Sequence, residues 1–170
     1  MSILSLFGCK EKQKDYIITP IFTEMREMAF KITPEQINIT DSKDNNTFAL
    51  FMETGYPEAI MSLRCIGDSS ISLYFSNGGG MIGIGEHEAA RAEGLKLIEM
   101  ANDYINKGKI VETNILPKYG ETYFYIRTKL GNYLIQDIED SLGNNKSEYS
   151  PLFYQAQNVI TQARLIQEKN

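Results

Sequence analysis

Along the chain, apolar positions switch between helical and strand spacing in a definite succession. Ile21, Met25, Met28 and Ile32 recur every three or four residues, which predicts a helix opening at Pro20 with Thr19 as its cap. Thr33-Pro34-Glu35-Gln36 reads as a capping box that opens a short helical turn. The polar run Asp41–Asn46 is predicted to be a loop. Three strands are then predicted over residues 47–53, 59–66 and 70–76, separated by Gly55-Tyr56-Pro57 and Gly67-Asp68-Ser69. In the second of them Ile60, Ser62 and Arg64 alternate against Met61, Leu63 and Cys65.

Connections this short imply antiparallel pairing, because parallel strands need long crossovers. Next comes a helix from Glu86 to Asn106 with the stripe Ala90, Gly94, Leu97, Ala101 and Tyr104, widened by Ile98 and Ile105. Strands follow over 121–128 and 133–138, joined through Leu130-Gly131-Asn132. After the polar loop Gly143–Glu148, Ser150 and Pro151 open a last helix striped by Phe153, Ala156, Val159, Ile160 and Ala163. The expected fold is α+β: one domain over residues 16–170, in the order α-βββ-α-ββ-α, after a tail or short amphipathic start at 1–15. Its mostly antiparallel sheet is expected to have about five strands, with helices packed on one face.

Composition adds limits rather than chemistry. The chain has 170 residues, 42% of them hydrophobic, enough for a core without disulfide or metal staples. Its net charge is -5. Lys10, Lys12 and Lys14 form the densest basic run, and Glu11 and Asp15 interrupt it, so nucleic acid and anionic membranes are not expected partners. The two cysteines, Cys9 and Cys65, suit a reducing compartment and offer no metal-ligand spacing; no metal or cofactor is expected. Leu6-Phe7-Gly8-Cys9 superficially resembles a lipoprotein cleavage site, which would anchor the chain through Cys9. The residues before it include no Lys or Arg and make too short an apolar region, so a cytoplasmic location is the expectation. No apolar run is long enough to span a membrane.

The sharpest sequence feature is Ser76-Asn77-Gly78-Gly79-Gly80-Met81-Ile82-Gly83-Ile84-Gly85, between a predicted strand and a predicted helix. Gly78, Gly80 and Gly83 satisfy G-x-G-x-x-G, whose glycines let a backbone approach a pyrophosphate at a helix N-terminus. That motif needs an early parallel βαβ unit, and here Glu86 and Glu88 put negative charge where a phosphate would sit. Two readings remain. Either the turn tucks Met81, Ile82 and Ile84 under neighbouring elements, or it presents them to a partner. His87, the only histidine, follows between Glu86 and Glu88 and reads as a solvated helix start. Ser76 and Cys65 have only His87 available as a histidine base.

Asp137, Glu139 and Asp140, and likewise Glu53 and Glu58, read as solvated charges near strand ends and turns. Tyr123, Tyr125 and Tyr133 alternate on the late hairpin, with Arg127 on the face of the first two. They suit an ordinary sheet face, or an interface built on aromatics and arginine.

Ser72-Leu73-Tyr74-Phe75-Ser76-Asn77-Gly78-Gly79-Gly80, running on through Gly83-Ile84-Gly85-Glu86-His87 into an Ala-rich helix, resembles a family of small uncharacterised bacterial α+β proteins. The resemblance implies no activity. Small acidic bacterial domains sometimes serve as immunity partners of toxins. The expectation is therefore a non-enzymatic module that binds another protein, immunity-like or in assembly. The alternative is a small-ligand-binding protein or an enzyme using the region Gly78–His87.

Overall fold

The structure is a computed structural model and describes residues 15–39 and 46–169. Cys9, the basic run at Lys10–Lys14 and most of the predicted loop at 41–46 lie outside the described residues.

Among the described residues seven strands form one antiparallel sheet in the order β4-β3-β2-β1-β6-β7-β5. They are β1 (Ala49–Gly55), β2 (Ile60–Ile66), β3 (Ile71–Phe75), β4 (Gly80–Met81), β5 (Lys109–Val111), β6 (Glu121–Thr128) and β7 (Gly131–Ile138). The helices are α1 (Pro20–Lys31), α2 (Glu88–Ala101), α3 (Glu139–Gly143) and α4 (Ser150–Gln167). The α+β class and the single antiparallel sheet are those the sequence predicts. The two additional strands are the edge strands β4 and β5, of two and three residues, too short to show a period of two. They exist because β3 and β7 offer them pairing partners.

Alternation along the strands divides the sheet into two faces. Leu50, Met52, Leu63, Cys65, Leu73, Phe124, Ile126 and Ile135 point to one face and are buried against α2 and α4. The stripe predicted for α2 is buried there at Ala90, Gly94, Leu97, Ile98 and Ala101, as is that of α4 at Phe153, Ala156, Val159, Ile160 and Ala163. Gly94 allows the close approach, since a Cβ there would lie 2.5 Å from Ile71 Cδ1.

The first helix takes the opposite face, where Ala49, Phe51, Tyr123 and Tyr125 meet Ala29 and Phe30. Its predicted stripe is not its buried side: Ile21 and Met28 are 56% and 62% exposed, whereas Phe22 and Ala29 are buried. The side turned to the sheet runs Phe22–Arg26–Ala29, because the sheet beneath it carries charge (below). Thr19 is the N-cap residue, but its hydroxyl donates to the Ser76 carbonyl at 3.1 Å instead of capping the helix. The capping box at Thr33 is half made, with the Thr33 N–H donating to Gln36 Oε1 at 2.9 Å.

Candidate functional site

The glycine-rich segment is a hairpin at the sheet edge that turns directly into α2. Ser76 directly follows β3: its N–H donates to the Ile60 carbonyl at 2.8 Å, and its hydroxyl accepts from the Ile60 N–H at 2.9 Å. The Gly78 N–H donates to the Phe75 carbonyl, the Phe75 N–H donates to the Gly79 carbonyl, and β4 then pairs Gly80 with Tyr74 and Met81 with Leu73. At Gly83 the backbone turns left-handed, with φ of 71°, and a single 3-10 turn over Ile84–Glu86 leads into α2.

This path separates the three apolar side chains of the turn. Met81 is half-buried against the core, Ile84 is 1% exposed, and Ile82 is 73% exposed. One residue is thus a core anchor and its neighbour two positions back is presented to solvent. The alternation follows from the extended backbone of β4 and the reversal at Gly83.

Ile82 stands where three clefts meet. One of about 520 Å³ is lined by Asp68, Ser70, Ser72, Tyr74, Ile82, Glu86 and Arg91, among others. A second, of about 340 Å³, is lined by Met81, Ile82, Ile84, Glu86, His87 and Ile166, together with Gly83. A third, of about 220 Å³, lies between the turn and the start of α1, walled by Ile21, Phe22, Tyr74, Phe75 and Ile82 over Gly79 and Gly80. The side chains lining the last are all aliphatic or aromatic.

The fold holds Ser76 and His87 in different surroundings. His87 is exposed at the N-cap of α2, while the Ser76 hydroxyl is buried and engaged by Ile60; among the described residues no hydrogen bond joins them. Burial pushes the Cys65 thiol up to about 12, the reverse of an activated thiolate. Asp137 accepts hydrogen bonds from the Ile138 N–H and from the Ser147 hydroxyl, and Asp140 accepts from Asn144. These carboxylates therefore organise the turn around α3.

The second polar constellation lies beneath α1, and it corrects the reading of Glu53 as a solvated charge. Glu53 is fully buried in β1. The Arg26 guanidinium donates to it twice, Nε to Oε1 and Nη2 to Oε2, each at 2.8 Å, and the Ser62 hydroxyl adds a bond of 3.1 Å. Arg26 also donates to the carbonyls of Asn114 and Ile115. From the sheet, Arg64 Nη1 donates to the Met25 carbonyl at 2.7 Å, and its guanidinium lies over the Tyr74 ring at 4.5 Å. Arg127 donates to the carbonyls of Ala29, Phe30 and Ile32, the C-terminal end of α1, where the helix dipole is negative.

Tyr123, Tyr125 and Arg127 are therefore buried under α1, and Tyr133 is placed on the opposite face, half-buried against the main core. The interface that these aromatics and Arg127 form is with the chain's own first helix. A signal for this layer was present in the sequence. Glu53, Arg64 and Arg127 fall inside strands, on the parity opposite to the continuous apolar one.

The buried phenols give this layer a pH limit. Burial pushes Tyr123 up to about 12, helped by its hydrogen bond to Glu121, and burial likewise raises Tyr125. A raised folded pKa means that the unfolded chain releases these protons first. The stability they contribute is complete below about pH 10 and is lost as pH rises toward 12. Thermal melts should therefore fall steeply between about pH 10 and 12, with tyrosinate absorbance rising in step with unfolding. Ionisation of all tyrosines before any loss of structure would contradict the burial of these two hydroxyls.

No family model, no curated protein and no solved structure matches the chain. Among the described residues no helix is long and apolar enough to cross a membrane, and no group of three His, Cys, Asp or Glu side chains could hold a metal ion.

Proposed function

We propose that this protein is a non-enzymatic module that binds another protein through the edge formed by the glycine turn and the start of α1, as a neutralising or assembly partner. The observation that carries this reading is Ile82. A large aliphatic side chain, 73% exposed, sits on a turn whose next apolar residue anchors the core. Ile21 and Phe75, 56% and 36% exposed, wall the same apolar cleft. Contiguous exposed apolar surface of this kind marks interaction sites, and binding energy concentrates in such central anchors. The buried anchor at Ile84 and the ladder to β3 hold the surface in one shape. That lowers the ordering cost of association.

Replacing Ile82 with Asp tests the reading. The folded protein buries little of this side chain, so stability is expected to change by no more than about 0.5 kcal/mol in chemical denaturation. Stoichiometric capture of a protein partner from the native host is expected to disappear. Capture that survives Ile82→Asp would overturn the proposal. So would a small molecule retained on purification in the 520 Å³ cleft with no protein partner, an outcome the Ser70, Ser72 and Arg91 lining makes a concrete rival.

A further inference from the structure

We infer that the partner segment fitting this edge carries one large apolar side chain flanked by Lys or Arg; this rests on the binding surface proposed above. The charge around Ile82 is acidic in balance, two carboxylates to one guanidinium. Glu86 lines both the 520 Å³ and the 340 Å³ clefts beside Ile82, and Asp68 lines the first of them. Both carboxylates are on exposed residues. The Glu86 carboxylate lies against Gly83, 3.4 Å from where a Cβ would stand, so it borders the residue next to Ile82. Among the described residues lining the three clefts the only Lys or Arg is Arg91, and its Nη1 is directed inward to the Gly85 carbonyl at 3.2 Å.

An acidic partner would meet two carboxylates, Glu86 and Asp68, against the single guanidinium of Arg91, and like charges at an interface cost affinity. A basic residue next to the apolar anchor would meet them favourably. The apolar anchor itself has a place in the third cleft, between Ile21, Phe75 and Ile82. Arginine and aromatic side chains are also those in which interface energy concentrates.

A random-peptide display library panned on the full chain, with counter-selection on Ile82→Asp, separates this inference from the reading beneath it. Ile82→Ser serves as a second counter-selector in case the Asp variant unfolds. The expected result is a set of Ile82-dependent peptides with Lys or Arg adjacent to a large apolar residue. The double charge reversal Asp68→Lys/Glu86→Lys should slow association of a selected peptide about tenfold at low salt, and added salt should narrow that gap. Ile82-dependent peptides that are neutral or acidic around the anchor would overturn the inference and leave the binding surface standing. No Ile82-dependent enrichment at all would overturn both.

Discussion

Replacing Arg26 with Ala is expected to lower the unfolding free energy by about 3–5 kcal/mol, the cost of leaving a buried charge without its partner. Glu53 has no solvent exposure. Removing the guanidinium takes away its two bonds of 2.8 Å and leaves the 3.1 Å bond from Ser62. The same substitution also removes the Arg26 bond to the Asn114 carbonyl and one of two bonds to the Ile115 carbonyl, which keeps the Tyr125 hydroxyl. It also removes the side chain that ties the middle of α1 to β1, so hydrogen exchange should quicken across Pro20–Lys31 before the rest of the sheet.

The double variant Arg26→Met/Glu53→Met separates the pair's own worth from the cost of stranding one member. Replacing both charges with apolar groups of similar size is expected to recover most of the loss, because taking two charges out of water offsets most of their mutual attraction. Equilibrium denaturation of the three proteins decides the matter. A single variant within about 1 kcal/mol of the parent would show that Glu53 finds water or another cation when Arg26 is gone.

The second large effect is expected at Gly85. An added Cβ would stand 1.8 Å from the Ser69 carbonyl oxygen and 3.0 Å from its carbon. Both are backbone atoms, so no rotamer change relieves the clash and the 3-10 turn must move away from the Asp68–Ser70 turn. We expect Gly85→Ala to destabilise by about 3 kcal/mol, the upper end of ordinary overpacking. Gly79 is the control. A Cβ there meets nothing within 4 Å, and only its φ of +84° opposes a side chain. Gly79→Ala should cost about 1–2 kcal/mol. Melting temperatures in the reverse order would mean that the turn is held by its left-handed backbone rather than by close approach to Ser69. Because Gly85 adjoins the buried Ile84, Gly85→Ala should also weaken any binding that depends on Ile82.

The glycine segment shows how far a motif can be read without its neighbours. Gly78, Gly80 and Gly83 all have positive φ, as a turn formed by glycine permits, and the antiparallel sheet around them is not a dinucleotide fold. Whether Met81, Ile82 and Ile84 point in or out was open, since all three are apolar and spacing alone assigns them no face. The three received three different environments. A similar ambiguity misplaced the buried side of α1. Ile21, Met25 and Met28 make a better apolar stripe than Phe22, Arg26 and Ala29, yet the second set faces the sheet because an arginine was needed opposite Glu53.

By itself, the sequence determined the α+β class, the antiparallel pairing, the two long helices with their buried faces, and the acidic balance. Those properties follow from periods of two and three to four residues and from turn residues, all within a short stretch of chain. Only the tertiary structure decided that α1 covers the second face, that Glu53 is buried, and that Ile82, alone of Met81, Ile82 and Ile84, is presented to solvent. These depend on partners far apart in the chain: 27 residues separate Arg26 from Glu53, and 98 separate Arg127 from the Ala29 carbonyl it holds. A charge reads as solvated until the fold supplies its counter-charge, and an apolar side chain reads as buried until the fold fails to cover it.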